Sequence, residues 1–187
     1  MKLSGIRDRL GHGPRNLVSG GTFFFTLTLA DRRSSVLTDH IGLLRAAFRK
    51  TRDEHPFTID AIVVLPEHLH AIMTFPDGDF DYSGRWRRLK GLFTRGVIAA
   101  GMSISSNDRG EYGLWQRRFW EHTVRDDGDF ERCADYIHFN PVKHRLVTSP
   151  GSWPFSSLHH YVRAGDLPAD WGGGDVAGDA NFGERPD

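Results

Sequence analysis

Two apolar segments in tandem, residues 57–65 and 68–75, constrain the fold of this chain more than any other feature. Both have the length and the Ile, Val and Phe content of β-strands, and the Pro-Glu dipeptide between them predicts a hairpin. The second segment also carries His68 and His70. Residues two apart on a strand share one face, so the two imidazoles should stand side by side. The opposite face of that strand is apolar and consists of Leu69, Ala71, Met73 and Phe75.

Two neighbouring imidazoles on a strand have three chemical interpretations. They bind a metal ion, they handle protons as a pair, or they are polar residues at a sheet edge. Two imidazoles and one oxygen ligand, for which Asn140 is a candidate, suit Mn²⁺ or Mg²⁺ when water and substrate take the remaining positions. Glu67 adjoins His68 and is interpreted as a turn residue rather than as a support for the histidine. Spacing alone leaves the three interpretations open.

The order of the predicted elements indicates an α+β fold. Strands are predicted over 22–29, 57–65, 68–75 and 114–124, and helices over 39–54, with Asp39 as the N-cap, over 82–99, and from Asp127 or Asp129 through 130–139. Pro141 is expected to bend the chain away from the last helix, because the residue before a proline disfavours helical geometry. This order is the split βαβ pattern of a ferredoxin-like antiparallel sheet with helices on one face, to which a C-terminal helix bearing a tyrosine is added.

Charge is distributed unevenly along the chain, although 24 basic and 24 acidic residues give a net charge of zero. Residues 166–187 hold six acids and one base, which leaves a net charge of +5 in residues 1–165. We therefore expect a polar N-terminal arm over 1–20, one folded domain over 21–165, and an acidic, disordered tail over 166–187.

The cysteine content and hydropathy of the chain indicate a reducing compartment and no membrane span. Cys133 is the only cysteine, which excludes an intramolecular disulfide and a cysteine-based zinc site and fits a reducing environment. No stretch approaches the roughly 20 apolar residues that cross a membrane. The first residues also lack the apolar core of a signal peptide. The sequence therefore predicts a cytoplasmic protein with no membrane partner.

The third predicted helix carries a tyrosine beside its apolar stripe, which consists of Phe130, Cys133, Ala134 and Ile137. Helical geometry rotates Tyr136 by about 100° from Ile137 and places it on one face with Asn140, one turn later. Tyr136 is either a surface residue whose ring covers the edge of the core, or a nucleophile that forms a covalent intermediate. Because a tyrosine phenol ordinarily has a pKa of roughly 10, the second role requires a metal ion or a base.

Clusters of basic residues suggest a surface for phosphate groups. The helix over 82–99 carries five cations between residues 85 and 95 with no acid among them, and its apolar stripe is expected to leave all five facing solvent. Such a run is either a solvated face or a set of phosphate contacts. Arginines also alternate with aromatic residues over 114–120, where an exposed ring can stack on a base. The candidate DNA-binding residues are Arg85, Arg87, Arg88, Lys90, Arg95, Arg117, Arg118 and Lys143.

Four segments of the chain resemble a known family of enzymes. The run VVLPEHLHAIMTFP resembles the HUH motif (His, bulky apolar residue, His) of single-tyrosine transposases. The run GLWQRRFWEHTVRDDGDFERCADYIHFNPVKHRLV resembles the later half of one branch, the REP-associated tyrosine transposases. GGTFFFTLTLADR and WPFSSLHHYVRAG are similar to that branch as well, so that the resemblance spans about residues 14–165.

The resemblance implies that residues 21–165 are a catalytic domain which cleaves and rejoins single-stranded DNA with Mg²⁺ or Mn²⁺. Tyr136 would attack a phosphodiester and keep the 5′-phosphate while a 3′-hydroxyl leaves. His68 and His70 would hold the ion, and Asn140, four residues after the tyrosine, matches the third ligand. A phosphotyrosine stores the bond energy, so rejoining needs no nucleotide cofactor.

The implied substrates are REP-like hairpins, short imperfect palindromes flanked by a tetranucleotide guide. The arm over 1–20 and the helix over 85–95 are candidates for contacting the guide. The resemblance leaves open whether the protein acts as a monomer or a homodimer. Two other functions compete with this one. The first is a domesticated protein that binds hairpin DNA or RNA without cleaving it, and the second is a metal-dependent nuclease that uses water as the nucleophile.

Overall fold

A computed structural model describes residues 20–79 and 81–172, so the expected arm over 1–20 and most of the expected tail over 166–187 lie outside the described residues. The strands are β1 (Thr22–Thr28), β2 (Thr58–Val64), β3 (His68–Thr74) and β4 (Trp120–Thr123). The helices are α1 (Val36–Asp39), α2 (Ile41–Glu54), α3 (Tyr82–Ala99), α4 (Asp127–Lys143) and α5 (Leu158–Ala164). None of these helices is both long and apolar enough to cross a membrane.

The four strands form one antiparallel sheet in the order β2-β3-β1-β4. The predicted hairpin is present, with Val63 opposite His70. Alternation along β3 separates two cores. Leu69, Ala71 and Met73 belong to the core that includes α3 residues, whereas Ile72 belongs to the core shared with α4. The ferredoxin-like prediction is confirmed, with the added helix α4 covering the face of the sheet opposite α2 and α3.

The first predicted helix is wrong at its start. Residues 36–39 form the separate turn α1, and α2 begins at Ile41 after His40. Asp39 is therefore not an N-cap, because its backbone N–H and its carboxylate both bond back to Ser35 and close the preceding turn. The predicted bounds of α3 are confirmed, and Asp81 caps it by accepting a hydrogen bond from the Gly84 amide.

The predicted strand over 114–124 is too long. Within this segment only Trp120–Thr123, which is β4, pairs with β1 as a strand, and upstream of it Trp115 makes one isolated bridge with Leu29. Side-chain burial holds the upstream residues instead: Leu114 is buried in the core, and Trp115 and Phe119 pack against it. Side-chain packing and the two backbone hydrogen bonds around this bridge, rather than a continuous strand, therefore hold the segment.

The helix α4, which is the third predicted helix, begins and ends differently from the prediction. Its N-cap is Asp126, whose side chain accepts from the Asp129 amide. The helix runs through Pro141 to Lys143. Proline is tolerated here because it lies in the last turn, where the missing N–H removes a single bond to the Ile137 carbonyl. The polar residues after the tyrosine therefore stay in helical register with it.

Candidate active site

The two histidines of β3 stand side by side, as predicted, and because β3 is an inner strand and both rings are buried, they are not polar residues at a sheet edge. His68 is 2% exposed and His70 is fully buried, and their ring centroids are 4.9 Å apart. The Nδ1 atom of His70 lies 2.9 Å from the Thr26 hydroxyl, on the neighbouring strand β1. The Nδ1 atom of His68 lies 2.8 Å from the Glu67 carboxylate. Each ring is thus oriented through the same nitrogen by a protein oxygen.

Glu67 has a larger part in the site than a turn residue, so the sequence interpretation of it was incomplete. Burial by itself would raise the pKa of this carboxyl, but the hydrogen bond and charge interaction with His68 outweigh burial and hold the pKa below its usual value. A further lowering comes from the charge of His144. The carboxylate is therefore the ionised partner of an imidazole, which is the arrangement that supports metal-binding histidines in proteins.

Tyr136 lies against this pair. It is 7% exposed and its ring centroid is 5.3 Å from that of His70 and 6.0 Å from that of Phe24. The interpretation of Tyr136 as a surface residue is therefore wrong. The Lys143 ammonium, two turns later on α4, donates a hydrogen bond to the phenol oxygen at 3.1 Å and lies 4.5 Å from the ring centroid.

Two more polar residues, Asn140 of α4 and its C-cap residue His144, follow Tyr136 along the chain. Asn140 is fully buried, and it follows Tyr136 by four residues on the helix. His144 follows by four more, and its ring centroid lies 4.9 Å from that of His68. His144 was not predicted as a site residue, although its spacing from Tyr136 and Asn140 indicates that it shares their face of the helix.

The basic residues of α3 do not all face solvent. Arg85 is 4% exposed, which contradicts the expectation for this position. Its guanidinium donates to the Asp79 carboxylate at 2.5 and 2.9 Å. It also donates to the backbone carbonyls of His55 and Pro56. These contacts lower the pKa of Asp79, chiefly through the hydrogen bond from Arg85. Arg85 is therefore a structural residue, unsuited to phosphate contact.

Two further α3 cations are also engaged. Arg88 forms an ion pair with Glu54 of α2. The Lys90 ammonium donates to the Gln116 carbonyl at 3.1 Å and lies 5.5 Å from the centroid of the Trp115 ring, and burial lowers its pKa to about 8. The remaining candidates for DNA contact are exposed: Arg87, Arg95, Arg117, Arg118 and Lys143.

A second cluster of potential ligands lies near the start of α4. The ligand atoms of His122, Asp129 and Cys133 fall within 4.8 Å of one another. The Asp129 carboxylate is already bonded to His122 Nε2 at 2.9 Å and to the Arg132 guanidinium at 3.1 Å. Burial raises the pKa of the Cys133 thiol to about 12, and both carboxylate oxygens of Asp129 already accept hydrogen bonds from protein groups. This cluster fixes the start of α4.

Comparison with known proteins assigns the family. The chain is 46% identical over 171 residues to the REP-associated tyrosine transposase of Escherichia coli (strain K12), covering 91% of this chain and 95% of that protein. The chain belongs to the REP-associated tyrosine transposases. A Haemophilus influenzae (strain ATCC 51907 / DSM 11121 / KW20 / Rd) protein with the same family designation is 44% identical over 161 residues, which is 85% of this chain and 92% of that protein.

A solved structure supports the same family and fold. It is that of a REP-associated tyrosine transposase bound to a REP hairpin, with a TM-score of 0.80 and 44% sequence identity. The match covers 95% of this chain and 99% of the solved chain. No family model matches the chain.

Proposed function

We propose that this REP-associated tyrosine transposase cleaves and rejoins single-stranded DNA at REP-like hairpins with a divalent metal ion, through a 5′-phosphotyrosine intermediate. The observation that carries the proposal is the packing of Tyr136 against His70, at 5.3 Å between ring centroids, beside the His68 ring. A tyrosine and two imidazoles in contact combine a nucleophile with ligands for an ion at one point. The hairpin bound by the solved relative supports the substrate class.

The donor atoms of the site fit a divalent ion. Glu67 and Thr26 hold the Nδ1 atoms of His68 and His70, so Nε2 is the atom that each imidazole would offer to the ion. The buried Asn140 adds a carboxamide oxygen, and a set of nitrogen and oxygen donors suits Mn²⁺ or Mg²⁺. When bound, the ion would polarise the scissile phosphodiester and stabilise the charge that develops on it.

The chemical step then falls to Tyr136. Its phenol oxygen loses a proton and attacks phosphorus, the bond from phosphorus to the 3′-oxygen breaks, and the 3′-oxygen takes up a proton as it leaves. The 5′-phosphate stays on the tyrosine. Attack by a 3′-hydroxyl of another strand reverses these bond changes and rejoins DNA, so no nucleotide cofactor is consumed. The tetranucleotide guide would select the phosphodiester that is presented to the tyrosine.

Lys143 is proposed as the positioning residue for the nucleophile. Its ammonium donates to the phenol oxygen, and a charge-assisted hydrogen bond of this kind strengthens as negative charge forms on the acceptor. The same bond fixes the direction of the oxygen relative to His70. Lys143 therefore favours the tyrosine conformation and charge state that attack requires.

The proposal is tested with a REP-like hairpin labelled on the 3′ side of the scissile phosphodiester, in the fragment that keeps the 5′-phosphate, and incubated with wild type or Tyr136→Phe in Mn²⁺. Wild type should retain the label on the protein in a denaturing gel, and Tyr136→Phe should retain none while binding the hairpin normally. Free cleaved DNA from both proteins would instead indicate the nuclease that uses water. Binding by both without any cleavage, in hairpins with intact flanks, would indicate the non-catalytic hairpin-binding protein.

A further inference from the structure

A cleft lies on the face of the sheet opposite Tyr136. It is a cleft of about 420 Å³ between α2, the edge strand β2 and the segment 154–157, a volume typical of ligand pockets. Among its apolar lining residues are Phe48, Ile62 and Val64. Ile62 and Val64 alternate along β2 with Ala61 and Val63, which pack in the same core as Tyr136. The cleft is thus separated from the tyrosine by the sheet itself.

The outer wall of the cleft is fixed to the sheet. The Val64 amide donates to the Phe155 carbonyl at 2.9 Å, and the Ser157 amide donates to the Ile62 carbonyl at 2.8 Å. The Ile62 amide in turn donates to the Ser157 hydroxyl at 2.9 Å. Phe155 is half-buried in this wall. The cleft is therefore pre-formed, with an aromatic ring in its wall.

The rim of the cleft is strongly basic. Arg45, Arg49 and Arg52 line it from α2 and Arg163 lines it from α5, and all four are exposed. Within residues 20–79 and 81–172, no carboxylate pairs with any of the four, and no lining residue is acidic. This contrasts with α3, where Arg85 and Arg88 are paired. Spacings of four and three residues align the α2 arginines over about 10 Å of one helix face.

An apolar, aromatic cleft bordered by unpaired arginines matches one ligand chemistry well. Single-stranded nucleic acid presents flat bases that stack on aromatic rings, and phosphates that arginine contacts along a groove. An acidic peptide would contact the arginines but would not fill the apolar lining of the cleft. A neutral apolar ligand would fill the lining but would leave the arginines at the rim without a partner. Charge and shape together therefore favour a nucleotide.

We propose that this cleft binds an unpaired nucleotide flanking the hairpin, with the base against the apolar lining and the neighbouring phosphates on Arg45, Arg49 and Arg52. The inference rests on the proposed function, because it assigns a second contact to the same DNA. Hairpin recognition then uses both faces of the sheet. The nucleotide in the cleft would hold the flank while another part of the flank reaches Tyr136.

The test compares a triple variant, Arg45→Ala with Arg49→Ala and Arg52→Ala, with a matched control, Arg33→Ala with Lys50→Ala and Arg109→Ala. The control removes three exposed cations that do not line the cleft. Affinity is measured by fluorescence anisotropy in EDTA, so that cleavage does not interfere, on a REP-like hairpin with unpaired flanks and on the same hairpin without flanks. We expect the affinity of the cleft variant for the flanked hairpin to fall about tenfold or more. The slope of log affinity against log salt concentration should become shallower by about two units. The control should change little.

Contact is measured independently by photo-cross-linking with 5-iodouracil placed in the flank. Cross-linked peptides from α2 or from residues 153–163 would support the cleft. Equal losses of affinity for flanked and unflanked hairpins, or no loss with cross-links only elsewhere, would overturn the inference. If labelled DNA still becomes attached to Tyr136 in the cleavage assay described above, the proposed function is retained and only the role of the cleft is rejected. A wild-type protein that binds neither hairpin would overturn both.

Discussion

At the scale of single residues, the site is defined by how its histidines are held. Thr26 and Glu67 each contact a Nδ1 atom, from two different directions, and both contacts are buried or half-buried. In the proposed function these partners leave Nε2 of each ring for the ion, and a carboxylate partner also increases the basicity of the imidazole. Metal affinity should therefore depend on residues that never touch the metal.

Glu67→Gln tests this dependence. We expect the affinity for Mn²⁺ to fall about 10- to 100-fold, because glutamine keeps the shape of the side chain but removes the charge that supports His68. The measurement is Mn²⁺ binding by titration calorimetry or electron paramagnetic resonance. Glu131→Gln, which neutralises an exposed carboxylate on α4, is the control and should bind as wild type does. Equal affinities for all three proteins would show that Glu67 does not support a ligand.

Lys143→Met tests the positioning of the nucleophile. Loss of a charge-assisted hydrogen bond to Tyr136 costs about 1.5–3 kcal/mol, so the rate of covalent adduct formation should fall about 10- to 100-fold. Lys143→Arg should recover part of the rate, because it restores a cationic donor. Single-turnover kinetics at saturating hairpin separates this effect from DNA affinity. A rate unchanged in Lys143→Met would remove Lys143 from the proposed mechanism.

At the scale of elements, α3 is basic in sequence but partly structural in function. Arg85 connects it to the turn at Asp79 and to the chain after α2, and Arg88 connects it to the end of α2. Two of its five cations thus hold helices together. Within residues 20–79 and 81–172, a further row of exposed arginines without an acidic partner, Arg45, Arg49 and Arg52, lies on α2, a helix to which no binding role was assigned from the sequence.

Arg85→Met should therefore destabilise the fold rather than weaken DNA binding specifically. We expect the free energy of unfolding to fall by about 2–4 kcal/mol, because the substitution leaves the Asp79 carboxylate and two carbonyls without their donor. The neighbouring exposed residue provides the control, since Arg87→Ala should change stability by about 0.5 kcal/mol or less. Urea denaturation measures both. Equal stabilities for the two variants would contradict the structural role of Arg85.

The titration of Lys90 on α3 should make the stability of the fold depend on pH. Because its pKa is about 8 in the folded protein and roughly 10.4 in an unfolded chain, the folded state releases the proton first as pH rises. The free energy of unfolding should therefore increase between about pH 8 and 10.4, relative to Lys90→Met, which cannot titrate. Denaturation of both proteins at pH 7 and pH 10 measures the difference. A constant difference across this range would contradict the burial of the ammonium.

At the scale of the whole molecule, periodic features were predictable and tertiary contacts were not. Alternation placed His68 and His70 on one face of β3, and the helical stripe set the bounds of α3. The burial of Arg85 and the approach of His144 to His68 depend on how distant segments meet, which no local pattern contains. The prediction that the chain bends away at Pro141 was wrong, because a proline breaks a helix in its interior but is tolerated in its last turn.

The most direct measurement of the central claim is the identity of the residue that becomes joined to DNA. Wild-type protein is incubated with a flanked REP-like hairpin and Mn²⁺, digested with nuclease and protease, and mapped by mass spectrometry. We expect a nucleotide to be attached through its 5′-phosphate to Tyr136, and the adduct to be absent in Tyr136→Phe and in EDTA. An adduct on another residue, or cleaved DNA without any adduct, would contradict the assignment of Tyr136 as the nucleophile.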